Sequence, residues 1–279
     1  DHEQIEPALA RLVPSDTQLA AGFRLDLLLA TPAYRALESQ APKGWLDELG
    51  KRTGLDPRRD ITELLLTFNG QDGVVLARGR FEVQRLESAL DESGAKRMPH
   101  GQRTLFGTEE AAAVFVDSST AAVGPARRLR SVIDGPGGIS APIIAALATL
   151  PPQSQAWIAA TGVSQWLRLP EFRGEGALNS DNFNRILGSL RTVTGAAEFG
   201  GSIDLRLSGE CATPDDAKML HDAFKGFLGI GRLATQAENA DLLRFYDSAS
   251  IAKQDRAVRV SALIPADLVE KLAAMSGGR

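Results

Sequence analysis

The chain has 279 residues, of which 43% are hydrophobic and 24% are charged, so it is long enough for two domains that each bury a core. It has 31 lysine and arginine residues against 35 aspartate and glutamate residues, which gives a net charge of −4. The two signs are interspersed, which leaves no basic patch for nucleic acid. We therefore expect a folded, soluble protein that does not bind nucleic acid.

The first part of the chain alternates strand-like and helix-like segments. Large apolar residues over 17–29 predict a strand that runs into a helix. Thr31 followed by Pro32 predicts the start of a second helix, because threonine caps free backbone amides and proline suits the first turn. Apolar residues four apart predict a further helix over 43–53.

The clearest motif of the first half is the pair of segments ITELLLTF (61–68) and GVVLARGRF (73–81). Both are apolar and strand-like, and Asn69 and Gly70 between them tolerate the positive φ of a tight turn. They predict an antiparallel hairpin. The rest of this half is predicted to contain a helix at 82–93, strands at 103–106, 111–117 and 120–123, and a helix that starts at Pro125.

The second half repeats this order of elements. Its predicted members are a strand at 155–163, a short helix capped by Ser164, a helix from Asp181 to near Gly195, strands at 196–200 and 202–211, a helix from Pro214, a strand at 256–264 and a helix from Pro265. The glycine-rich stretch GFLGIGRL (226–233) is interpreted as the end of the Pro214 helix followed by a flexible turn.

The two series open on similar segments, LVPSDTQLAAGFRL (12–25) and LPPQSQAWIAATGV (150–163). A recurrence of the whole order favours a tandem repeat over a local coincidence. We therefore expect an α+β fold with two structurally similar lobes, 1–148 and 149–279. Each lobe is expected to be an antiparallel sheet with helices packed on one face, as in split β-α-β or ferredoxin-like folds.

Aromatic residues recur on the predicted inner faces of the helices and strands, and core packing is the first interpretation of them. These residues are Trp45, Trp157, Trp166, Phe183, Phe224 and Phe227.

Several stretches of the first half, together with the order of elements in the second, resemble a family of exported bacterial proteins of unknown function, some of them lipid-anchored. These stretches are VPSDTQLAAGFRLD near the front, TGLDPRRDI (53–61), VVLARGRF (74–81) and GPARRLRSVID (124–134). The resemblance implies an extracytoplasmic location and supplies no activity and no functional residues.

The expected location is periplasmic or otherwise extracytoplasmic. The sequence begins at Asp1 without a methionine, which suggests a removed signal segment and leaves room for a lipid anchor upstream. No apolar run approaches the length of a spanning helix, so no membrane-spanning segment is expected. The single cysteine, Cys211, excludes an internal disulfide and is expected to lie quietly in or beside a strand.

No catalytic, metal-binding or cofactor-binding residues are assigned. His2, His100 and His221 have no second histidine or cysteine at the spacing of a metal site. His221 precedes Asp222, but neighbouring helical positions are expected to point to different faces. The serine of GVSQW (162–166) is better explained by helix capping than by a nucleophile elbow.

The segment PEFRGEGALNSDN (170–182) is the first candidate for a functional surface. It is longer than a usual connection in a compact domain, and such loops are often binding loops; an ordinary exposed loop is the alternative. The residues proposed for this binding loop are Phe172, Arg173, Glu175, Asn179 and Asp181.

Duplicated lobes without a catalytic constellation favour a non-enzymatic binding or scaffolding module of the bacterial cell envelope. The alternative is a hydrolase whose site is assembled only in three dimensions; a purely structural subunit is a third possibility. An envelope protein or a small ligand is the expected partner, and the oligomeric state stays open.

Overall fold

The computed structural model describes residues 4–38, 55–135, 137–152, 154–166, 180–235 and 239–276. The helix expected over 43–53 lies outside these ranges. The helices are α1 Pro7–Ala10, α2 Leu25–Leu28, α3 Pro32–Glu38, α4 Pro57–Asp60, α5 Val83–Glu92, α6 Ala126–Asp134, α7 Ala141–Leu147, α8 Val163–Trp166, α9 Ser180–Leu187, α10 Pro214–Ala234, α11 Ala240–Ser248 and α12 Ala266–Ser276.

The strands are β1 Leu19–Arg24, β2 Ile61–Phe68, β3 Gly73–Gly79, β4 Arg97–His100, β5 Arg103–Gly107, β6 Ala112–Asp117, β7 Thr120–Gly124, β8 Ala156–Thr161, β9 Leu190–Phe199, β10 Ser202–Cys211, β11 Ala249–Gln254 and β12 Ala257–Pro265. Helix accounts for 38% and strand for 36% of the structure, which confirms the α+β class.

The described residues divide into two compact units. The first comprises residues 4–30, 55–148 and 152–156, and the second comprises 31–38, 149–151 and 157–276. Helix α3 therefore belongs to the second unit, although α1, β1 and α2, which precede it in the chain, belong to the first. Within the second unit, the amide of Ala33 donates to the carbonyl oxygen of Gly200 over 3.0 Å.

The first unit is built on an antiparallel sheet in the order β1-β2-β3-β7-β6-β5-β4. Its centre is the hairpin predicted from the sequence, β2 and β3, in which Leu65 lies opposite Leu76 and both side chains are fully buried. Leu86 of α5 and Leu129 of α6 are buried as well. The alternation of apolar residues along the two strands thus supplies the core of this unit.

The front motif of the sequence performs a structural role in the first unit. The guanidinium group of Arg128 in α6 donates to both carboxylate oxygens of Asp16, over 2.6 and 2.9 Å. Asn69, in the turn between β2 and β3, donates to the same carboxylate over 2.9 Å. The bond from Arg128 is the largest cause that lowers the pKa of Asp16. The motif therefore ties a loop, a turn and a helix together.

The second unit carries β11-β12-β10-β9-β8 as its strand order, and the pairs from β9 to β11 are antiparallel. Helices α10, α11 and α12 pack against its strands. Leu220 of α10, Val258 of β12 and Leu268 of α12 are buried between these layers. The last residue of β10, Cys211, is buried, as expected for a cysteine in a strand.

The interpretation of residues 188–195 as helical is wrong. Helix α9 ends at Leu187, and β9 begins at Leu190 and pairs with β10 over its whole length. Gly195 lies inside β9, where a Cβ atom would stand 2.5 Å from Cδ2 of Leu207 on the neighbouring strand. The β-branched residues after Leu190 suit a strand, and pairing with β10 outweighs the helix-ending reading of the glycine.

The interpretation of GFLGIGRL (226–233) as a helix end is also wrong, because α10 continues to Ala234. A glycine inside a helix costs about 1 kcal/mol relative to alanine. Gly231 is needed by packing, since a Cβ atom there would stand 2.5 Å from the hydroxyl oxygen of Tyr246 in α11. Helix α11 and strand β11, which the sequence did not predict, both pack against α10.

A buried carboxyl group in β2 makes stability depend on pH. Glu63 is buried opposite Arg24, and burial raises its pKa above the ordinary 4.5 while Arg24 opposes the rise. An acid with a raised pKa binds protons more tightly in the folded state, so its destabilising effect grows as pH rises above its unfolded pKa. We expect the variant Glu63→Gln to gain unfolding free energy relative to the wild type between about pH 4 and pH 7.

Urea unfolding of both proteins across this pH range measures the difference. Glu110→Gln, at an exposed position, is the matched control for the loss of one carboxylate. If the unfolding free energies of Glu63→Gln and the wild type stay parallel with pH, the argument fails.

Candidate functional site

Most residues of the predicted binding loop lie outside the part of the chain that the structure describes. Phe172, Arg173, Glu175 and Asn179 lie outside the described residues, and Asp181 lies in the first turn of α9. The binding loop therefore stays a prediction.

Two of the histidines, His100 and His221, form local pairs, and His2 lies outside the described residues. His100 Nε2 lies 2.7 Å from Asp134 Oδ2, and His221 Nδ1 lies 2.9 Å from Asp222 Oδ1. The expectation that His221 and Asp222 point apart is thus wrong, because their side chains bend toward each other at the helix surface. Across the described ranges, no group of three or more histidine, cysteine, aspartate or glutamate residues could hold a metal ion.

The nucleophilic side chains are occupied locally. The hydroxyl of Ser119 donates to Asp117 Oδ1 over 2.8 Å within the β6–β7 turn. Burial raises the pKa of the Cys211 thiol, which keeps it protonated and poorly reactive. These contacts explain both residues as parts of the structure.

The first unit and the second unit each contain a cavity. The cavity of the first unit, about 570 Å³, is lined in part by Arg59, Arg80 and Arg85. Two of these arginines already face carboxylates in the lining, since Arg59 lies 3.1 Å from Asp60 and Arg85 lies 3.5 Å from Glu82. The cavity of the second unit, about 430 Å³, lies on the face of the sheet formed by β9, β10, β12 and β11.

The surface that stands out is one side of helix α10. Phe227 is 56% exposed, Ile230 is 51% exposed and Leu233 is 87% exposed, and they follow one another at intervals of three residues. Such spacing places them near one another along one side of a helix. Met219 extends the exposed apolar surface toward the start of the helix. We call Met219, Phe227, Ile230 and Leu233 the apolar face of α10.

The buried residues of the same helix lie nearer its start, and Leu220, seven residues before Phe227, is on nearly the same side of the helix. Ala217 and Leu220 are buried against the sheet, and the side chain of Leu220 reaches within 3.8 Å of the position of a Cβ atom on Gly209. The packing of the second unit thus covers this side of α10 near Leu220 and leaves it exposed at Phe227. Met219, Ile230 and Leu233 are also left on the surface.

Charge is distributed unevenly along α10. Its first turn carries Asp215 and Asp216, where the helix dipole favours acids. From Ala223 to the end of the helix the charged residues are Lys225 and Arg232. The exposed bulky residues therefore lie in the half of the helix whose charged residues are both basic, and of these Arg232 forms an ion pair with Asp247 of α11 over 3.0 Å.

Sequence reasoning missed this face for an identifiable reason. It placed Phe224 and Phe227 in the core and ended the helix at the glycines, yet both phenylalanines are exposed and the helix runs past them. The signal that could have found it is the number of apolar positions between 217 and 234, which is more than one buried side of a helix needs.

Among the described helices, none is long and apolar enough to cross a membrane.

Comparison with solved structures finds chains with a similar fold. Crystal form I of TP0453 matches with a TM-score of 0.52 and 12% identity, over 98% of this chain and 97% of that one. Crystal form III matches with a TM-score of 0.56 and 11% identity, over 99% of both chains. This chain shares the fold of TP0453. At this identity the likeness to TP0453 concerns the fold alone.

No family model matches the chain, and no curated protein matches it. The resemblance to a family of exported bacterial proteins therefore stays a prediction.

Proposed function

We propose that this chain is a non-enzymatic binding module of the bacterial cell envelope, located outside the cytoplasm, and that it attaches to the surface of a lipid bilayer through the apolar face of α10. The observation that carries the proposal is the exposure of Phe227, Ile230 and Leu233 in the half of α10 that also contains Lys225 and Arg232. Helices that lie in the bilayer interface combine bulky apolar residues on one side with basic residues nearby.

The expected energies are sufficient for reversible attachment. Burying a large apolar side chain that was fully exposed contributes about 1.5–3 kcal/mol, so these partly exposed residues contribute about 1 kcal/mol or more each. A lysine or arginine near an anionic surface adds about 1 kcal/mol. An exposed helix side suits a lipid surface, because lipids are deformable and do not have to present a complementary pocket.

We also propose that the two units are related lobes, as the sequence repeat predicts. The support is the strand order, which begins β1-β2-β3-β7-β6 in one unit and reads β8-β9-β10-β12-β11 in the other. The split β-α-β or ferredoxin-like arrangement of each lobe stays a prediction. So do the lipid anchor upstream of residue 1 and the alternative of a hydrolase, which no geometry in the described residues favours.

Vesicle sedimentation tests the attachment. The purified chain is mixed with vesicles of phosphatidylglycerol and phosphatidylethanolamine, or with vesicles of phosphatidylcholine alone. We expect binding to the anionic vesicles that weakens with added salt, because salt screens the basic residues, and weaker binding to the neutral vesicles.

A label shows which surface makes the contact. An environment-sensitive dye on the variant Leu233→Cys should shift to the blue on binding, whereas the same dye on Leu263→Cys, also exposed, should not. Absence of binding to both vesicle types, or a stable dimer that protects the dye at 233 without lipid, would show that the face binds something other than a bilayer.

A further inference from the structure

The cavity of the second unit has the composition of a binding site for an anion. It is lined by side chains from β9, β10, β12 and β11 and bounded by the segment Thr149–Pro151. Its charged lining residues are Arg206 and Arg259, and its hydroxyl groups include those of Thr194, Ser208, Ser250 and Ser261. None of the described residues in this lining carries a carboxylate.

The strand register arranges the central four residues as a checkerboard. Arg206 of β10 lies opposite Ser261 of β12, and Ser208 of β10 lies opposite Arg259 of β12. Residues two apart on a strand share a face, and diagonal neighbours in an antiparallel pair lie about 7–8 Å apart. The two arginines are therefore diagonal neighbours on the same face of the sheet, and each lies directly opposite a serine of the neighbouring strand.

The positive charges of Arg206 and Arg259 are only partly neutralised by carboxylates. Arg206 donates to Asp204 over 2.6 Å, and Asp204 and Glu198 lie opposite each other one row beyond the cavity. Arg259 donates to the amide oxygen of Gln254 over 3.1 Å, and among the described residues it has no carboxylate partner. The partners of the two guanidinium groups lie at opposite ends of the checkerboard, so Arg206 and Arg259 bind one anion together when their side chains turn toward each other.

The hydroxyl groups complete the set of donors. The hydroxyls of Ser250 and Ser261 are 2.7 Å apart, so one of them donates to the other and the acceptor keeps its own proton for a ligand. Thr194 is buried at the opposite side of the cavity. Ala196, Ala252 and Leu150 give the lining an apolar part as well.

We propose that this cavity binds a phosphoryl group carried on a small organic molecule, with Arg259 and Arg206 as its charged donors and Ser208 and Ser261 as hydroxyl donors. A phosphoryl group offers several oxygens to donors on neighbouring strands, and planar guanidinium groups bind it in a bidentate manner. The proposal uses no residue of α10 and stands apart from bilayer attachment. A free phosphorylated metabolite and a lipid headgroup would present the same chemistry.

Calorimetric titration without a bilayer tests the proposal. Glycerol 3-phosphate represents the free source, and dihexanoyl phosphatidylglycerol below its micelle concentration represents the headgroup. We expect the wild type to bind one of them, and we expect Arg259→Gln and Arg206→Gln each to weaken that binding at least about 10-fold, as the loss of a charge-assisted hydrogen bond predicts.

Two further variants keep the test decisive. Arg256→Gln removes the same charge in the β11–β12 turn, outside the cavity lining, and should change the affinity less than about 2-fold. Arg259→Lys keeps the charge and should still weaken binding, because lysine cannot bind in a bidentate manner. Circular dichroism checks that each variant is folded. Failure of both probes to bind, or an equal loss in Arg256→Gln and Arg259→Gln, would overturn the proposal.

Discussion

Replacing Ile230 and Leu233 together by alanine is expected to weaken binding to anionic vesicles about 30-fold, which corresponds to about 2 kcal/mol. Both side chains are at least half exposed, so their removal takes more contact area from a bilayer than from the protein core. The binding curve from vesicle sedimentation gives the loss directly, and the unfolding free energy should change much less than the binding free energy.

A matched double variant tests whether location matters. Val123 is 50% exposed and Leu263 is 56% exposed, and neither lies on α10. Val123→Ala with Leu263→Ala removes a comparable apolar area, and we expect vesicle binding within about 2-fold of the wild type. If both double variants lose binding equally, general surface hydrophobicity and not α10 attaches the chain to lipid.

Gly79→Ala is expected to destabilise the first unit by about 3 kcal/mol, the upper part of the usual range for overpacking. A Cβ atom on Gly79 would overlap the carbonyl oxygen of Asp60 and stand 3.1 Å from Cα of Ile61. Both neighbours are backbone atoms at the start of β2, which cannot move aside as a side chain can. The adjacent hydrogen bond from the amide of Arg80 to the carbonyl oxygen of Asp60, 2.7 Å long, would be strained.

Gly73→Ala is the control at the other end of the same strand. A Cβ atom there would lie 3.5 Å from the carbonyl oxygen of Thr67, which is an ordinary contact. We expect a change of less than about 1 kcal/mol, with a small gain possible from the lower entropy of the unfolded chain. Urea unfolding followed by circular dichroism compares the two variants, and equal stability of both would contradict the steric argument.

Several elements follow from local patterns alone. Thr31 and Pro32 start α3, the apolar segments around Asn69 and Gly70 form the β2–β3 hairpin, and α5 covers the predicted 82–93. In each of them the deciding interactions connect residues close in the chain: a cap, a turn, or an amphipathic period. Such interactions can be recognised without knowing what lies nearby in space.

The candidate sites could not be predicted in the same way. The glycines of α10 indicate a helix end until Tyr246 is seen packed at Gly231, and the exposure of Ile230 depends on which side of α10 meets the sheet. The checkerboard of Arg206, Ser208, Arg259 and Ser261 exists only because β10 pairs with β12 in one register. Neither feature has a signature within a single segment.

The sequence by itself determined the α+β class, the β2–β3 and β6–β7 hairpins and the starts of most helices, because propensity, turn chemistry and apolar periodicity act over a few residues. Only the tertiary structure decided the order of strands, the assignment of α3 to the second unit, and which apolar and charged side chains stay on the surface. These depend on contacts between residues far apart in the chain, and the free energy of such contacts is set by packing and register.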